Sequence, residues 1–276
     1  MRMQNNERAD TIHRQPLERI VSPYILSPNS MSAFDPISFS KMKFGSLPDI
    51  RNFAGKVAEN IDPELVSNNT VVAAVEYDYA PAAGVLLAEE VARLLGQKYN
   101  VALPFLRIRQ RNTPTVDFAT LSREERSAYL HTIIYNVVAD TVRDKDVIFV
   151  DDIRTTGGHE AVARENLGNL PQEVTYAYAV TLDPNSDPRM EQTLTMAAIN
   201  SIEDIDKIMQ GEHFRVTTKL CKYLLAYEQT EDLTRLARMV PPTKLQELYT
   251  CMKNSFYNSV PAYAVNTDML KKLCAN

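Results

Sequence analysis

The sequence feature that most constrains the fold lies between Val147 and Gly158. It begins with the apolar run Val-Ile-Phe-Val, continues with Asp-Asp-Ile-Arg and ends with Thr-Thr-Gly-Gly. A short run rich in β-branched residues predicts a strand that is buried on both faces. Because a helical pattern follows at residues 159–167, the local order is strand, turn and helix. This order is typical of α/β folds, in which ligands bind at the carboxyl ends of the parallel strands.

The polar residues after this strand favour a sugar phosphate as the ligand. The Thr-Thr-Gly-Gly turn offers backbone N–H groups, two hydroxyls and a helix N-terminus to one anion. Asp151 and Asp152 are poor phosphate ligands, but their oxygens are good acceptors for sugar hydroxyls. The stretch therefore predicts a cradle for a ribose phosphate.

This stretch resembles the phosphoribosyl-pyrophosphate (PRPP) loop of the type I phosphoribosyltransferases (PRTases). The Asp-Asp-Ile-Arg start and the His159-Glu160 pair are similar to the ComF-like branch, found with tellurium-resistance genes, and the likeness covers residues 69–183. It implies that the two aspartates hold the ribose 2′- and 3′-hydroxyls and that the turn holds the 5′-phosphate. For His159, a ligand contact and a structural role both stay open. The residues implied to bind the ribose phosphate are Asp151, Asp152, Ile153, Arg154, Thr155, Thr156, Gly157 and Gly158.

Three other interpretations of this stretch are weaker. A P-loop ATPase requires G-x-x-x-x-G-K-[ST], but Gly55-Lys56 is preceded by Ile50 where the first glycine belongs. A purely structural strand is disfavoured, because adjacent acids beside an anion-binding turn are costly unless a ligand binds there. A PRPP synthetase has a related loop, usually with an acid in place of Thr155.

Composition narrows the class of protein. The chain has 276 residues, of which 45% are hydrophobic and 24% charged, so it can bury a substantial core. Its formal net charge of −5 argues against a nucleic-acid partner. No window is apolar over the length that spans a membrane, and the N-terminus lacks the apolar region of a signal peptide. Cys221, Cys251 and Cys274, without metal-ligand spacing, predict reduced thiols in a cytoplasmic protein.

A first core strand is predicted at residues 70–75, and the resemblance implies that the loop after it binds pyrophosphate. The loop contains Glu76, Tyr77, Asp78 and Tyr79. It lacks the usual glycine or basic residue, and its two acids would repel pyrophosphate. Three options stay open: Mg²⁺ lies between acids and ligand, the acids face away, or pyrophosphate is not the natural leaving group. The expected cofactor is Mg²⁺ bound through PRPP, with Asp78 and Asp152 as candidate protein ligands.

A second strand, predicted at residues 101–106, runs into Arg107, Arg109 and Arg111. In a continuing strand, arginines at every second position point the same way. They would suit a lid over phosphates, and the family has a mobile loop at this place. Arg109 is therefore a candidate catalytic residue beside the two aspartates. The alternative is a solvated basic edge strand.

The remaining segments are read mainly as helices. One begins at Pro48, one ends at Gly96, and one begins at a Ser122–Glu125 capping box with inward residues up to Val138. Five more follow residue 189, one of them with a second capping box at Thr243 and Gln246. Asp183, after a strand at residues 175–182, lies where relatives recognise the base, so it is expected on the acceptor side. The predicted division is an N-terminal extension (1–47, beginning with a loosely docked arm), a PRTase core (48–187) and a C-terminal helical hood (188–276).

The expected fold is therefore α/β: a mostly parallel, Rossmann-like sheet of PRTase type I with helices on both faces and a hood. The resemblance implies Mg²⁺-dependent transfer of a 5-phosphoribosyl group from PRPP to a nucleobase-like acceptor, with release of pyrophosphate. It also implies a small-molecule acceptor and a homodimer. Two alternatives stay open: a non-catalytic PRPP- or nucleotide-binding regulator, and a phosphorylase-type enzyme that cleaves a nucleotide or nucleoside.

Overall fold

The computed structural model describes residues 17–27, 33–77, 79–110, 118–130, 132–133, 135–211, 213–255 and 257–274. The strands are β1 Leu17–Val21, β2 Ile25–Leu26, β3 Thr70–Glu76, β4 Phe105–Gln110, β5 Tyr135–Asn136, β6 Asp146–Arg154 and β7 Glu173–Leu182. The helices are α1 Pro36–Lys43, α2 Leu47–Asn60, α3 Ala83–Tyr99, α4 Arg123–Leu130, α5 Ala139–Val142, α6 Gly158–Leu167, α7 Met190–Met196, α8 Ile202–Met209, α9 Thr218–Leu225, α10 Thr230–Met239, α11 Pro242–Asn254 and α12 Ala264–Cys274.

The described strands form one sheet in the order β1-β7-β6-β3-β4-β5, and β2 also pairs with β7. Every pairing is parallel except that of β4 with the short strand β5. The predicted mostly parallel α/β sheet is therefore confirmed. The expectation of a loosely docked N-terminal arm is wrong for residues 17–21, which pair with residues 173–177 of β7.

Both faces of the sheet are covered by helices, as the sequence predicts. Alternate residues of β6 point to opposite faces: Ile148 and Val150 pack with α1, α2 and α3. Val147 and Phe149 pack in a second cluster with α6. The strand is thus buried on both sides, which explains its continuous apolar run.

The C-terminal helices build a separate apolar cluster. Residues of α8 to α12 pack around Leu220, Leu224 and Leu248, and Phe44 and Ala80 join them from the sheet side. The predicted helical C-terminal region is confirmed, whereas the three-part division of the chain stays a prediction. Among the described helices, none combines the length and apolar character required to cross a membrane.

Several predicted element boundaries are wrong. α3 passes Gly96 and ends where Asn100 adopts the left-handed conformation (φ 54°), which asparagine tolerates. α4 ends at Leu130, although its apolar pattern continues to residue 138. β4 begins at Phe105, four residues after Val101. α12 was not predicted at all.

Of the two capping boxes expected, one forms. Ser122 N–H donates to Glu125 Oε2 (2.8 Å) and Glu125 N–H donates to Ser122 Oγ (3.3 Å) at the start of α4. The second, predicted at Thr243 and Gln246, does not form, because α11 already begins at Pro242 with Pro241 as its N-cap. A proline suits the first helical position, where no N–H partner is needed.

Candidate functional site

One cavity lies where β3 and β6 end, and every residue from Asp151 to His159 lines it. The whole predicted ribose-phosphate stretch, residues 151–158, is therefore brought together in a single site. Basic and acidic side chains from distant segments complete the wall: Lys43, Arg126, Glu191, Lys219 and Lys222.

Glycines permit the close approaches around the turn. Gly157 is the N-cap of α6 with φ 74°, in the left-handed region that favours glycine. A Cβ atom on Gly158 would lie 2.0 Å from Leu130 Cδ1. A Cβ atom on Gly84, at the start of α3, would lie 2.5 Å from Asp151 Oδ1. The turn is thus packed directly against the end of α4, and the start of α3 is packed against the acidic end of β6.

Asp151 is held by its own backbone and by the next helix. Its Oδ1 accepts the Asp152 N–H (2.8 Å), and its Oδ2 lies 3.0 Å from His159 Nδ1. Burial raises the pKa of Asp151, but the hydrogen bond from His159 outweighs it and the pKa is lowered. Burial acts against the charge of His159, yet the bond to Asp151 raises its pKa. This arrangement gives His159 a structural contact with the first aspartate, while it also lines the cavity.

Asp152 is bound by a lysine that sequence analysis did not single out. Lys43 Nζ donates to both carboxylate oxygens of Asp152 at 2.9 Å and to Glu191 Oε1 at 3.3 Å, and all three side chains are buried. Burial opposes the charge on Lys43, but the two carboxylates hold its pKa above the usual range. Burial raises the pKa of Asp152 to about 6, and the neighbouring Asp151 and Glu191 act in the same direction against Lys43.

Arg126 connects this acid pair to the phosphate turn. It is 1% exposed and donates through Nη1 to Thr155 Oγ1 and to Glu191 Oε2, both at 2.9 Å. Its other donors reach the carbonyls of Leu121 (3.1 Å) and Pro188 (3.0 Å). Burial raises the pKa of Glu191, but Lys43 and Arg126 overcome it and lower the pKa. We call the resulting chain of contacts, Asp152–Lys43–Glu191–Arg126–Thr155, the cross-cavity network.

The middle of the predicted stretch has a packing role. Ile153 is buried. Arg154 turns toward Glu160 and forms an ion pair with it, and Tyr178 OH donates to Glu160 Oε1 at 2.9 Å. Burial raises the pKa of Tyr178 well above its usual value, so this hydroxyl stays a neutral donor. Ile153 and Arg154 line the cavity, but Ile153 also packs in the apolar cluster with α1, α2 and α3, and Arg154 links β6 to α6.

The loop after β3 is divided between the cavity and the surface. Tyr77 lines the cavity, and burial raises its pKa. Tyr79 is 48% exposed. Glu76 pairs with Arg107 and is not part of the cavity lining. Asp78 lies outside the described residues. Of the three options left open for the two acids, Glu76 follows the second, because its side chain faces away from the cavity.

The structure does not bring the lid arginines to the cavity. Arg107 is paired with Glu76 and Glu89 and is half exposed, and Arg109 is also exposed. The alternate residues Ile108 and Gln110 are buried, and Gln110 lines the cavity. Arg111 lies outside the described residues.

Asp183, expected on the acceptor side, is likewise absent from the cavity lining among the residues that the structure describes. Its Oδ1 accepts the N–H of Asn185 at 2.9 Å in the turn after β7.

Five charged residues of the cavity were not predicted from the sequence: Lys43, Arg126, Glu191, Lys219 and Lys222. One signal could have identified two of them, because they occupy helix positions that are buried together with apolar neighbours. Lys43 follows Phe39 and Met42 on the buried side of α1, and Lys222 lies among buried leucines in α9. Charged residues are almost never fully buried unless they are paired, so a charge at such a position indicates a partner.

The described residues do not fit a magnesium site formed by protein ligands alone. Within them, no group of three or more His, Cys, Asp or Glu side chains could hold a metal ion. Asp152 is engaged by Lys43, and the other candidate ligand, Asp78, is not described.

Comparisons with known proteins give a family match for this sequence. The sequence matches the family described as PRTase ComF-like over residues 17–270. Among solved structures it is similar to a purine phosphoribosyltransferase from Pyrococcus horikoshii, with 18% identity and a TM-score of 0.31 over 50% of this chain and 84% of that one. No curated protein matches the sequence. The family match, which spans most of the chain, is the finding that bears on identity.

Proposed function

The chain belongs to the ComF-like family of PRTases, and from this premise we propose that it transfers the 5-phosphoribosyl group of PRPP to a nucleobase-like acceptor, releasing pyrophosphate. The observation that carries the proposal is that residues 151–158 all line one cavity at the carboxyl end of β6. One buried and one partly buried carboxylate, with a glycine turn at a helix N-terminus, are the groups that a ribose and its 5′-phosphate need.

The two aspartates can each bind a sugar hydroxyl without losing their present partners. A carboxylate has about four lone-pair positions, and the contacts of Asp152 with Lys43 use two of them. In our proposal Asp151 and Asp152 fix the ribose, and Lys43 and His159 keep the two carboxylates oriented. These carboxylates are the groups proposed to touch the substrate.

The turn has hydrogen-bond donors available for an anion. Thr155 Oγ1 already accepts from the Arg126 guanidinium, so the hydroxyl proton of Thr155 is directed to another acceptor. Backbone N–H groups and the positive end of the α6 dipole add to this preference for a phosphate. Arg126 is thus proposed as a positioning residue for the 5′-phosphate site.

The proposed reaction requires positioning rather than a protein nucleophile. The bond between ribose C1 and the pyrophosphate oxygen breaks, and its electron pair leaves with pyrophosphate. A nitrogen of the acceptor forms the new bond to C1, and the proton that this nitrogen carried passes to pyrophosphate or to solvent. Holding ribose, phosphate and acceptor in one geometry lowers the entropic part of the barrier. Mg²⁺ is proposed to arrive bound to PRPP, where a divalent cation neutralises phosphate oxygens.

One observation favours a second candidate, a regulator that binds PRPP without turnover. Arg107 and Arg109 lie outside the cavity lining, so the described part of β4 contributes no cation to a departing pyrophosphate. Incubation of the PRPP complex with a panel of acceptors separates the candidates, because only a transferase releases pyrophosphate. The cytoplasmic location and the homodimer stay predictions.

The proposal is tested by calorimetric titration of the protein with ribose 5-phosphate and with PRPP, each with and without Mg²⁺. Asp152→Asn should weaken both ligands about tenfold to a hundredfold, because a hydrogen bond to a charged group contributes about 1.5–3 kcal/mol. Asp183→Asn is the matched control, since Asp183 lies after the neighbouring strand β7 but outside the cavity lining. Unchanged affinity in Asp152→Asn would contradict the assignment of the ribose site.

A further inference from the structure

The cavity is basic although the chain is acidic. The formal net charge of the protein is −5, but more basic than acidic side chains line the cavity among the described residues. The basic ones are Lys43, Arg126, Arg154, Lys219 and Lys222, and the acidic ones are Asp151, Asp152 and Glu191. An excess of cations inside one cavity of an acidic protein attracts an anionic ligand. A ribose 5-phosphate has one phosphate group, for which the Thr-Gly turn already provides a site.

The loop after β3 and the strand β4 do not supply the charge that a second anionic group needs. Residues 76–82 contain no basic residue, and Glu76 is directed to Arg107 outside the cavity. Cations for the far side of the cavity must therefore come from another element.

α9 lies beside this loop and is fixed to it. The Thr218 N–H donates to the Pro81 carbonyl (3.0 Å), and Thr218 Oγ1 donates to the Ala80 carbonyl (2.5 Å). The preceding Thr217 Oγ1 donates to the Lys43 carbonyl at 3.0 Å. The first turn of α9 is thus held between the loop after β3 and the end of α1, so its outward residues have defined positions.

Two lysines of α9 face the cavity from this place. Lys219 and Lys222 are three residues apart, a spacing that puts side chains on one face of a helix, and both line the cavity. Lys219 Nζ donates to Gln192 Oε1 at 3.3 Å, and Lys222 is buried. Lys219 and Lys222 thus place positive charge on the wall of the cavity, where an oxyanion of the ligand can accept hydrogen bonds from them.

We propose that Lys219 and Lys222 form an oxyanion subsite that binds the pyrophosphate group of PRPP, in place of the arginines of β4. This inference rests on the proposed function, because it takes PRPP as the ligand. It also gives the α9 region a role in binding the donor substrate. The loop after β3 then contributes its backbone and the docking surface for α9, and its lack of a basic residue has a physical explanation.

The test compares PRPP with ribose 5-phosphate, two ligands that differ by the pyrophosphate group. In calorimetric titrations of the full chain with Mg²⁺, the wild type should bind PRPP more tightly than ribose 5-phosphate. Lys219→Gln and Lys222→Gln should each reduce this advantage about tenfold, because each removes a charge-assisted contact. Their affinity for ribose 5-phosphate should stay within about twofold. Lys207→Gln, in the exposed part of α8, is the control and should leave both affinities unchanged.

The outcomes separate the two proposals. If ribose 5-phosphate does not bind the wild type, the proposed function fails and this inference fails with it. If ribose 5-phosphate binds but the advantage of PRPP is unchanged in the lysine variants, only the pyrophosphate subsite is overturned. Lys219 is partly exposed, so Lys219→Gln decides the question even if Lys222→Gln does not fold. If the advantage of PRPP is unchanged in Lys219→Gln, these lysines would instead be assigned to binding a negatively charged acceptor.

Discussion

The strands β6 and β4 end at the same edge of the sheet, with β3 between them, but their charged residues have different surroundings. Near the carboxyl end of β6, Asp151 and Asp152 are bound by His159 and Lys43 inside the cavity. On β4, the arginines are exposed, and Arg107 pairs with acids outside the cavity lining. Position at the ligand-binding edge of a sheet is therefore not sufficient for a site. The direction of each side chain, and the partners that reach it from elsewhere, decide whether a charge belongs to the cavity.

The largest expected effect is a difference in the free energy of unfolding between two arginine variants, one at the cavity and one on β4. Arg126→Met should lower the free energy of unfolding by about 3–5 kcal/mol, because it leaves the buried carboxylate of Glu191 and two carbonyls without this partner. Arg109→Met, on the exposed side of β4, should change it by less than about 0.5 kcal/mol. Urea denaturation of the two variants measures both values. Equal losses of stability would contradict the difference between the buried Arg126 and the exposed Arg109.

Two glycine-to-alanine substitutions should change the stability of the protein by smaller amounts and in opposite directions. Gly84→Ala should destabilise the protein by about 1–3 kcal/mol through overpacking, because the new Cβ would lie 2.5 Å from Asp151 Oδ1 and 3.3 Å from the Asp152 backbone nitrogen. Gly55→Ala, within α2 and with nothing within 4 Å of its Cβ, should stabilise it by about 0.5–1 kcal/mol. Thermal unfolding measures the signs. A stabilising Gly84→Ala would contradict the close approach of α3 to the end of β6.

The smallest effect concerns the pH dependence of the His159–Asp151 contact. The folded-state pKa of His159 is raised from 6.5, so its contribution is fully present below pH 6.5 and is lost as the pH rises through the raised pKa. The pKa of Asp151 is lowered from 3.8, so its contribution is present above pH 3.8 and is lost as the pH falls through the lowered pKa. His159→Gln should therefore cost about 1 kcal/mol more at pH 5.5 than at pH 8.5.

The control for this pH effect is the same substitution in an Asp151→Asn background. Without the carboxylate, the protonated imidazole has lost the group that does most to raise its pKa, while burial, Glu191 and Asp152 still act on it. The extra cost of His159→Gln at pH 5.5 should therefore be smaller than in the wild-type background. Denaturation curves at the two pH values measure it. An undiminished extra cost at pH 5.5 would assign the effect to another group.

Sequence alone predicted the β6 region well because its signals are local. The apolar run, the two aspartates, the Thr-Gly turn and the first turn of α6 follow one another, and each has a short-range physical cause. The same holds for the capping box of α4 and for the buried strand β3. These are the parts in which neighbours in sequence are also neighbours in space.

The arginines of β4 show where local reasoning stops. Their alternation predicted correctly that Arg107 and Arg109 point the same way, since both are exposed. Which face of the strand is turned to the cavity is decided by packing, and Ile108 and Gln110 are on the buried side. The sequence of a strand shows which residues share a face, whereas the elements that cover the strand decide which face points to the cavity.

The other failures have a related cause. Lys43 and Glu191 bind each other, and Lys43 also binds Asp152. The buried position of Lys43 on α1 indicates that it has a partner, but no pattern within α1 or α7 shows which residue that partner is. The pairing of β1 with β7 likewise joins segments whose compatibility is visible only when both are placed in the sheet.

The cross-cavity network also determines when the site can form during synthesis of the chain. Lys43 and Asp152 are 109 residues apart, and Lys43 and Glu191 are 148 apart. Contacts of such separation require large loops to close, and they are slow to form compared with local structure. A nascent chain or fragment that ends after α6 would contain the complete strand–turn–helix stretch but not the carboxylate that joins its two halves. The smallest unit that contains the whole cross-cavity network is therefore much longer than the strand–turn–helix stretch itself.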